Sequence, residues 1–527
     1  MTVRQQFAIA AVVVPVVLVA WAQYWPGAWW LFVVIGPLIM LGLRDMFQKK
    51  RTLLRLYPII GHFRYLLESF RVEIQQYFIE SDLDANPVAR EFRSLVYQRA
   101  KGQKDTRPFG TILDVNQDGY EWINHSVSAA HVAENDLAVI FGGPQCQKPY
   151  VAKPLNISAM SYGSLSKNAI EALNLGAKRG GFAHNTGEGG ISPYHLKHEG
   201  DLIFQFGTGY FGCRDAVGGF DPDLFAKKAA FESVKMIEIK LSQGAKPGHG
   251  GILPAVKLTQ EIAEIRHVTM GQDVLSPPNH SAFDTPKGLL LFVQQLRQLS
   301  GGKPIGFKLC LGNRVEFLAI CKAMLETGIK PDFITLDGSE GGTGAAPIEF
   351  TNSVGTPIKD ALITVNNALI GTGLREDIKI IAAGKIISAF HLIKALALGA
   401  DAVNSARGMM FALGCIQSRA CNTDHCPTGI ATQDPARVVG LVVEDKAKRV
   451  ARYHGQMMKN LAELLGAAGL HSLSELRPKH IMHRLQGTVV KSYEEMFPTL
   501  ESGSLLHEGT LPDSWRADFE AADANRW

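Results

Sequence analysis

From about residue 151 the chain alternates short apolar or β-branched runs with longer stretches of helical period, and no other feature constrains its fold as much. The runs are LNISAMS (155–161), GFAHNTG (181–187), MIEIKLS (236–242), DVLSPP (273–278), IGFKLC (305–310), DFITLDG (332–338), IKIIAAG (378–384) and DAVNSAR (401–407). Between them lie stretches such as SKNAIEALNLGAKRG, EFLAICKAMLETG and AFHLIKALALGA. Eight strand candidates in strict alternation with helices predict an α/β fold, a (β/α)8 TIM barrel over 151–440, with a doubly wound sheet as the alternative. In such a barrel the loops after the strands converge on one face, which is where its chemistry sits.

The first 45 residues differ from the rest. FAIAAVVVPVVLVAWAQYW (7–25) and WWLFVVIGPLIMLGL (29–43) carry no charge. A bilayer core needs about 20 apolar residues per helix, so the first run is long enough and the second marginal. Trp21, Trp25, Trp29 and Trp30 crowd the connection, while Arg4, Arg44, Lys49, Lys50 and Arg51 lie outside both ends. The expectation is a transmembrane helical hairpin (1–45) anchoring the chain in the cytoplasmic membrane, with both ends and the catalytic domain on the cytoplasmic side. A secretory signal ending at Ala20-Trp21-Ala22 and a buried helical pair are the competing readings. Residues 46–150 read as a helical or irregular linker and extension of the barrel, with YLLESFRVEIQQYFIE a helix. Residues 441–527 read as a helical extension, with EDKAKRVARYHGQMMKNLAELLGAAGL and SLSELRPKHIMHRL as helices.

A net charge of +4 on 527 residues argues against a nucleic-acid groove. Seven irregularly spaced cysteines do not form a secreted disulfide framework. Cys146, Cys213, Cys310 and Cys321 read as core residues.

LDGSEGGTGAAP (336–347), AAGKI (382–386) and NSARG follow the sixth, seventh and eighth strand candidates. Glycine lets backbone N–H groups approach a phosphate, and barrel phosphate sites lie after strands seven and eight, so a phosphate-bearing cofactor is expected there. No G-x-G-x-x-G stands in a strand–turn–helix setting, which favours FMN over NAD. Lys308 interrupts an apolar strand; pointing inward it needs an anionic or electron-rich partner such as a flavin edge, and pointing outward it reaches solvent. EIKLSQGAKPGHGG places Lys240, Gln243, Lys246 and His249 around one strand end. Its two lysines suit a dicarboxylate or a buried proton donor, and suit a solvated surface equally well.

GCIQSRACNTDHCPTG gathers Cys415, Cys421 and Cys426 after the last strand, in a C-x5-C-x4-C-P pattern. Three thiolates with proline beside the last one fit an iron–sulfur cluster, and three ligands suit a three-iron one. Zinc would recruit His425 or Asp424 as a fourth ligand, and three inert buried thiols are the remaining reading.

ISAMSYGSLS, NTGEGG, EIKLSQGAKPGHGG, SPPNH, GSEGGTGAAP and LGCIQSRACNTDHCPTGIATQDP, in that order, resemble the FMN-binding synthase domain of the glutamate synthase family over roughly 100–490. The resemblance implies FMN and a [3Fe–4S] cluster, the latter held by Cys415, Cys421 and Cys426. It places Ala159, Met160 and Ser161 against the flavin ring, Gln243 and Lys308 at its polar edge, and the phosphate near Gly341, Gly342, Thr343, Gly384, Lys385 and Arg407. Glu188, Lys240, Lys246 and Arg266 match positions serving 2-oxoglutarate and its imine, so Lys240, Lys246, Gln243 and Glu188 are the expected catalytic set. Arg266 with the two lysines is the expected substrate-binding set.

The implied activity is reduction of 2-oxoglutarate plus ammonia to glutamate, with an electron-donor protein or quinone as redox partner. The alternative is a membrane dehydrogenase of an amino or hydroxy acid. Three departures accompany the resemblance. The chain begins MTVRQQ rather than with a nucleophilic cysteine, which leads us to expect free ammonia or a separate glutaminase subunit as nitrogen source. His249 replaces an acidic residue, and Asn279 replaces a proline.

Overall fold

A computed structural model describes all 527 residues, Met1–Trp527. Contacts divide the chain into two compact units, Met1–Arg90 and Glu91–Trp527.

In the first unit, helices Val3–Ala22 and Phe32–Phe47 are joined by a 3-10 turn, Pro26–Leu31. Thr2 caps the first through a reciprocal box with Gln5. The two helices meet where Gly42 lets the Phe7 ring approach; an added Cβ would lie 2.1 Å from that ring. Their outer faces expose Val12, Val16, Val33 and Met40. Val3–Ala22 and Pro26–Phe47, 20 and 22 residues, are each long and apolar enough to cross a membrane. Downstream, helices Gly61–Ser69 and Arg71–Ile74 and a π turn, Gln75–Ile79, cover the helix expected there.

The second unit is built on a closed barrel of eight parallel strands, which excludes the doubly wound sheet. They are β1 (Leu155–Ile157), β2 (His184–Asn185), β3 (Leu202–Phe206), β4 (Val234–Lys240), β5 (Ile305–Leu309), β6 (Phe333–Asp337), β7 (Lys379–Ala383) and β8 (Ala402–Ser405). Each pairs with its neighbours in sequence, and β8 closes on β1.

Seven of the eight strands lie where the alternation placed them. DVLSPP does not form the fourth. Only Val274–Leu275 is extended there, pairing antiparallel with Ile252–Leu253 outside the barrel. Pro277 and Pro278 follow immediately and cannot donate to a central ladder. The missing strand is β3, whose five residues LIFQF are all buried. MIEIKLS is therefore the fourth strand rather than the third.

Because side chains alternate along a strand, the barrel interior is layered. At the bottom, Ala183, Ile203, Met236, Phe333, Ile381 and Ala402 pack with Val139, Phe141, Tyr150 and Ala152 of an antiparallel hairpin that seals that end. Two residues higher on the same faces the interior turns polar. Glu238, fully buried, accepts from Asn185 (2.8 Å), Gln205 (2.6 Å) and Thr335 (2.5 Å), so its charge is satisfied without water. Above it stand Lys240 and Lys308, register partners on β4 and β5.

Helix Val443–Ala467 packs between Lys167–Gly180, which follows β1, and Ala389–Ala397, which follows β7, completing the helical ring. SLSELRPKHIMHRL is not the helix its pattern suggested. It forms two 3-10 turns and a strand, Ile481–Arg484, which pairs with Glu121–Ile123 and Val490–Ser492. Pro478 breaks the helical ladder, and the strand finds a partner more than 350 residues away, which no local pattern encodes.

Candidate active site

The loop after β2 turns at Gly187, whose φ of 66° suits glycine, and backs onto the loop after β1. A Cβ at Gly187 would lie 2.7 Å from the Ser161 nitrogen. This close approach brings Glu188 to the mouth of the barrel beside Ala159, Met160 and Ser161. Glu188 Oε1 pairs with Lys240 Nζ at 2.7 Å. Burial works against the carboxylate's charge, but Lys240, Arg266 and Lys246 outweigh it and hold its pKa below the ordinary value. Oε2 has no hydrogen-bond partner.

Lys246 is 1% exposed, and its Nζ has no partner either. Burial, then repulsion from Lys240, lowers it to about 8. Such an ammonium gives up a proton near neutral pH, as a general acid should. Arg266 ends helix Gln260–Arg266 and is buried. Its Nη2 donates to Ser161 Oγ (3.3 Å) and the Tyr162 carbonyl (3.1 Å), while Nε is unpartnered. Two cations and a guanidinium around one carboxylate, with open donors, are a donor set whose chemistry suits a dianion.

Lys308 points into the barrel and not toward the helices. It is 3.4 Å from Asp337 Oδ2, and Asp337 also accepts from the Gly244 N–H at 2.9 Å. Burial alone would lower Lys308, but Asp337 and Glu238 keep it raised and charged. Gln243 lies in the turn between, its carbonyl accepting from the Lys246 N–H.

The glycine loop after β6 reaches Arg407, whose Nη2 donates to the Glu340 carbonyl at 2.5 Å. A Cβ on Gly342 would lie 3.1 Å from the same nitrogen. Burial and Arg407 both lower Lys385, so two cations face one another beside Gly342 and Gly384. Cations beside glycine backbone suit a phosphate, and the charged Lys308 inside the barrel suits a flavin ring edge. Gly341 and Thr343 complete that loop; Gly341 donates to the Gly338 carbonyl.

The next glycine of this loop, Gly344, adjoins the cysteine loop: its Cβ would lie 3.5 Å from Cys421 Cβ. Burial, then Cys421 and Cys426 nearby, pushes the Cys415 thiol up to about 12, and burial, then Cys426, raises Cys421. Burial pushes Cys426 up as well, yet hydrogen bonds from Thr428, Ala431 and Ile430 outweigh it and favour its thiolate. Cys415 Sγ accepts from the Gln417 N–H at 3.4 Å. No three His, Cys, Asp or Glu side chains converge into a ready metal cage. The donor set is all-thiol, with backbone N–H groups aimed at sulfur, and fits an iron–sulfur cluster better than zinc. Of the two residues that zinc would recruit, Asp424 is engaged elsewhere: its Oδ1 accepts from the Gln433 N–H at 2.7 Å.

Several functional neighbours escape sequence reasoning. Lys257, 3% exposed, donates to the carbonyls of Ser164 (2.6 Å), Ala431 (3.2 Å) and Cys421 (3.4 Å), tying the cysteine loop to the loop after β1. His280 donates from Nε2 to the Lys240 carbonyl and accepts at Nδ1 from the Tyr210 hydroxyl; burial lowers it to about 4, keeping it neutral. Ser276 Oγ is buried without a partner near Gly251. Tyr210 follows β3, so missing that strand hid it. His249 stacks edge-on against Phe350 at 5.2 Å, and Asn279 is exposed. Cys213, Cys310 and Cys321 are core residues as read; Cys146 is only half-buried.

The profile described as the conserved region in glutamate synthase matches residues 114–471. The glutamate synthase large subunit-like protein YerD of Bacillus subtilis is 36% identical over 525 residues, covering 92% of this chain and 96% of that protein. The archaeal glutamate synthase (NADPH) of Methanocaldococcus jannaschii is 37% identical over 342 residues, 65% of this chain and 63% of that protein. The archaeal-type enzyme of Thermotoga neapolitana is 35% identical over 342 residues, and the chain spans 64% of its length. The chain belongs to the glutamate synthase family, oxidoreductases acting on CH–NH2 donors, whose members imply flavin and iron–sulfur cofactors.

Proposed function

We propose that this chain is an FMN- and [3Fe–4S]-dependent enzyme in which 2-oxoglutarate and ammonia condense to an imine, releasing water, and two electrons and two protons reduce that imine to glutamate. The observation that carries the reading is the buried set Glu188, Lys240, Lys246 and Arg266, three cations around one carboxylate with open hydrogen-bonding capacity. When bound, the cluster would supply electrons and the flavin a hydride. Arg266 and Lys240 hold the two carboxylates of the substrate. Lys246 supplies a proton to the nitrogen or to the departing water, and Glu188 holds Lys240 in place. Ala159, Met160 and Ser161 would flank the flavin ring, with Gln243 and Lys308 at its edge. Gly341, Gly342, Thr343, Gly384, Lys385 and Arg407 would hold its phosphate. Cys415, Cys421 and Cys426 would hold the cluster, and the contact between Gly344 and Cys421 would make the electron path short.

The two N-terminal helices belong to this reading as a membrane hairpin with the barrel on the cytoplasmic side, served by a redox protein or quinone and by free ammonia or a glutaminase partner. The test uses detergent-purified protein, reduced anaerobically and freed of reductant. Adding 2-oxoglutarate with ammonium reoxidises the flavin and forms glutamate, whereas either alone does not. A flavin that stays reduced with both present, and with a glutamine control, overturns the substrate assignment.

A further inference from the structure

We propose that residues 52–79 form an in-plane membrane element that lies on an anionic bilayer surface beside the two N-terminal helices. The inference rests on reading those helices as membrane spans.

Three observations within the first unit carry it. The short helices Thr52–Leu56 and Gly61–Ser69 and the turn Gln75–Ile79 leave large apolar side chains in the open: Leu56, Ile60, Phe63, Leu67, Phe70 and Phe78. Phe78 is 84% exposed and Ile60 67%, more than scattered surface residues explain. Between the first two helices lies an open groove of about 730 Å³, lined by Leu53, Ile60, Phe63 and Leu67 together with Arg64, Arg71 and Glu68, the last 3.8 Å from Arg71. Apolar walls beside guanidinium groups suit an acyl chain carrying a phosphate.

Charge is the second observation. From 44 to 79 the chain has seven lysines and arginines against three acids, Asp45, Glu68 and Glu73. Asp45 is 2% exposed and is held by His62 (2.8 Å) and the Ile59 N–H (3.1 Å), so it does not offset the surface charge. A basic, amphipathic, aromatic-rich segment of this kind binds anionic headgroups and not a neutral surface.

Chain length is the third. Only residues 48–51 separate Phe47, the end of the second membrane-length helix, from Thr52. At about 3.5 Å per residue, that linker reaches at most about 15 Å, which starts the segment close to the bilayer surface.

The test uses the full chain in vesicles carrying a photoactivatable diazirine phospholipid, with labelled peptides mapped by mass spectrometry. One vesicle set contains phosphatidylglycerol, and the other is phosphatidylcholine alone. In the anionic vesicles, label is expected on 3–47 and on 52–79. The 52–79 label should fall several-fold in phosphatidylcholine, in a K49Q/K50Q/R64Q/R71Q variant and in F63Q/F78Q, while the 3–47 label holds. Label confined to 3–47 overturns the inference and leaves the spans standing, and is the outcome if a protein partner covers the patch. Equal label of 52–79 in both vesicle types overturns the anionic preference. Label on neither segment overturns the spans as well.

Discussion

Lys240 Nζ stands 2.7 Å from Glu188 Oε1, and this one pair joins the loop after β2 to the end of β4 at the centre of the pocket. The carboxylate also acts on Lys246, which burial and Lys240 push down and Glu188 pulls up, to a balance of about 8.

Replacing Glu188 with Gln removes the upward pull. With Lys246 as proton donor, activity is present below about 8 and is lost as pH rises through that value. In E188Q the alkaline limb of kcat/KM moves to lower pH, and the rate at neutral pH falls roughly 10²- to 10⁴-fold. A pH profile of glutamate formation measures both effects. A limb that stays where it was removes Lys246 from proton transfer.

The same ammonium is a stability cost. Between about 8 and the free-lysine value of 10.5, the folded protein holds Lys246 neutral while the unfolded chain binds the proton. Stability therefore rises with pH across that window, and below it the buried, unpartnered charge weighs fully against folding. Lys246→Met is expected to stabilise the protein at pH 7 by about 1–3 kcal/mol while abolishing turnover. The gain should shrink toward zero as pH approaches 10.5. Thermal melts of the two proteins at a series of pH values check it; a destabilised variant at pH 7 would show that Lys246 has a partner in solution.

Much of the barrel was legible because burial and periodicity are local signals. β4 through β8 carry β-branched runs bounded by glycine, and their polar ends mark the catalytic face. Lys308 announced itself by standing alone in an apolar strand. What failed did so for physical reasons. LIFQF (β3) is apolar on both faces, with Gln205 hidden by its bond to Glu238, so it gave no alternation. DVLSPP offered β-branched residues in the right place but is stopped by its prolines. The cations around Glu188 were visible as types; their convergence depends on loop geometry at Gly187 and Gly251, which spacing does not encode. Lys257 sat in an unremarked loop, because its partners are backbone carbonyls from two distant segments.

Lys257 is expected to hold the cysteine loop. Its three carbonyl bonds, to Ser164, Ala431 and Cys421, cannot be reproduced by a shorter side chain. Lys257→Gln should loosen the loop that carries Cys421 and Cys426, weakening iron retention roughly 10- to 100-fold, as loss of a supporting contact around a metal site typically does. Iron, sulfide and flavin are measured per chain, with the visible spectrum followed during chelation. Iron should drop while flavin stays. Equal loss of both would mean the barrel itself has come apart.

Outside the site, Glu121 binds the Glu121–Ile123 strand to the barrel. It takes bonds from Lys394 (2.5 Å), Tyr493 (2.6 Å), His483 (3.0 Å) and Lys359 (3.3 Å), and is 14% exposed. Burial would raise the carboxyl, but Lys394, Tyr493 and Lys359 outweigh it and hold it at about 2. A carboxylate depressed on folding contributes stability that is complete above its unfolded value near 4.5 and is lost as pH falls through about 2. Glu121→Gln should therefore cost about 2–3 kcal/mol at pH 7. The difference from the parent protein should narrow below pH 4.5 and close near 2, a trend that melts or denaturant titrations at stepped pH resolve. A gap that persists unchanged through that window would mean that Glu121 contributes by packing alone, and that the C-terminal sheet is held to the barrel by something other than its charge.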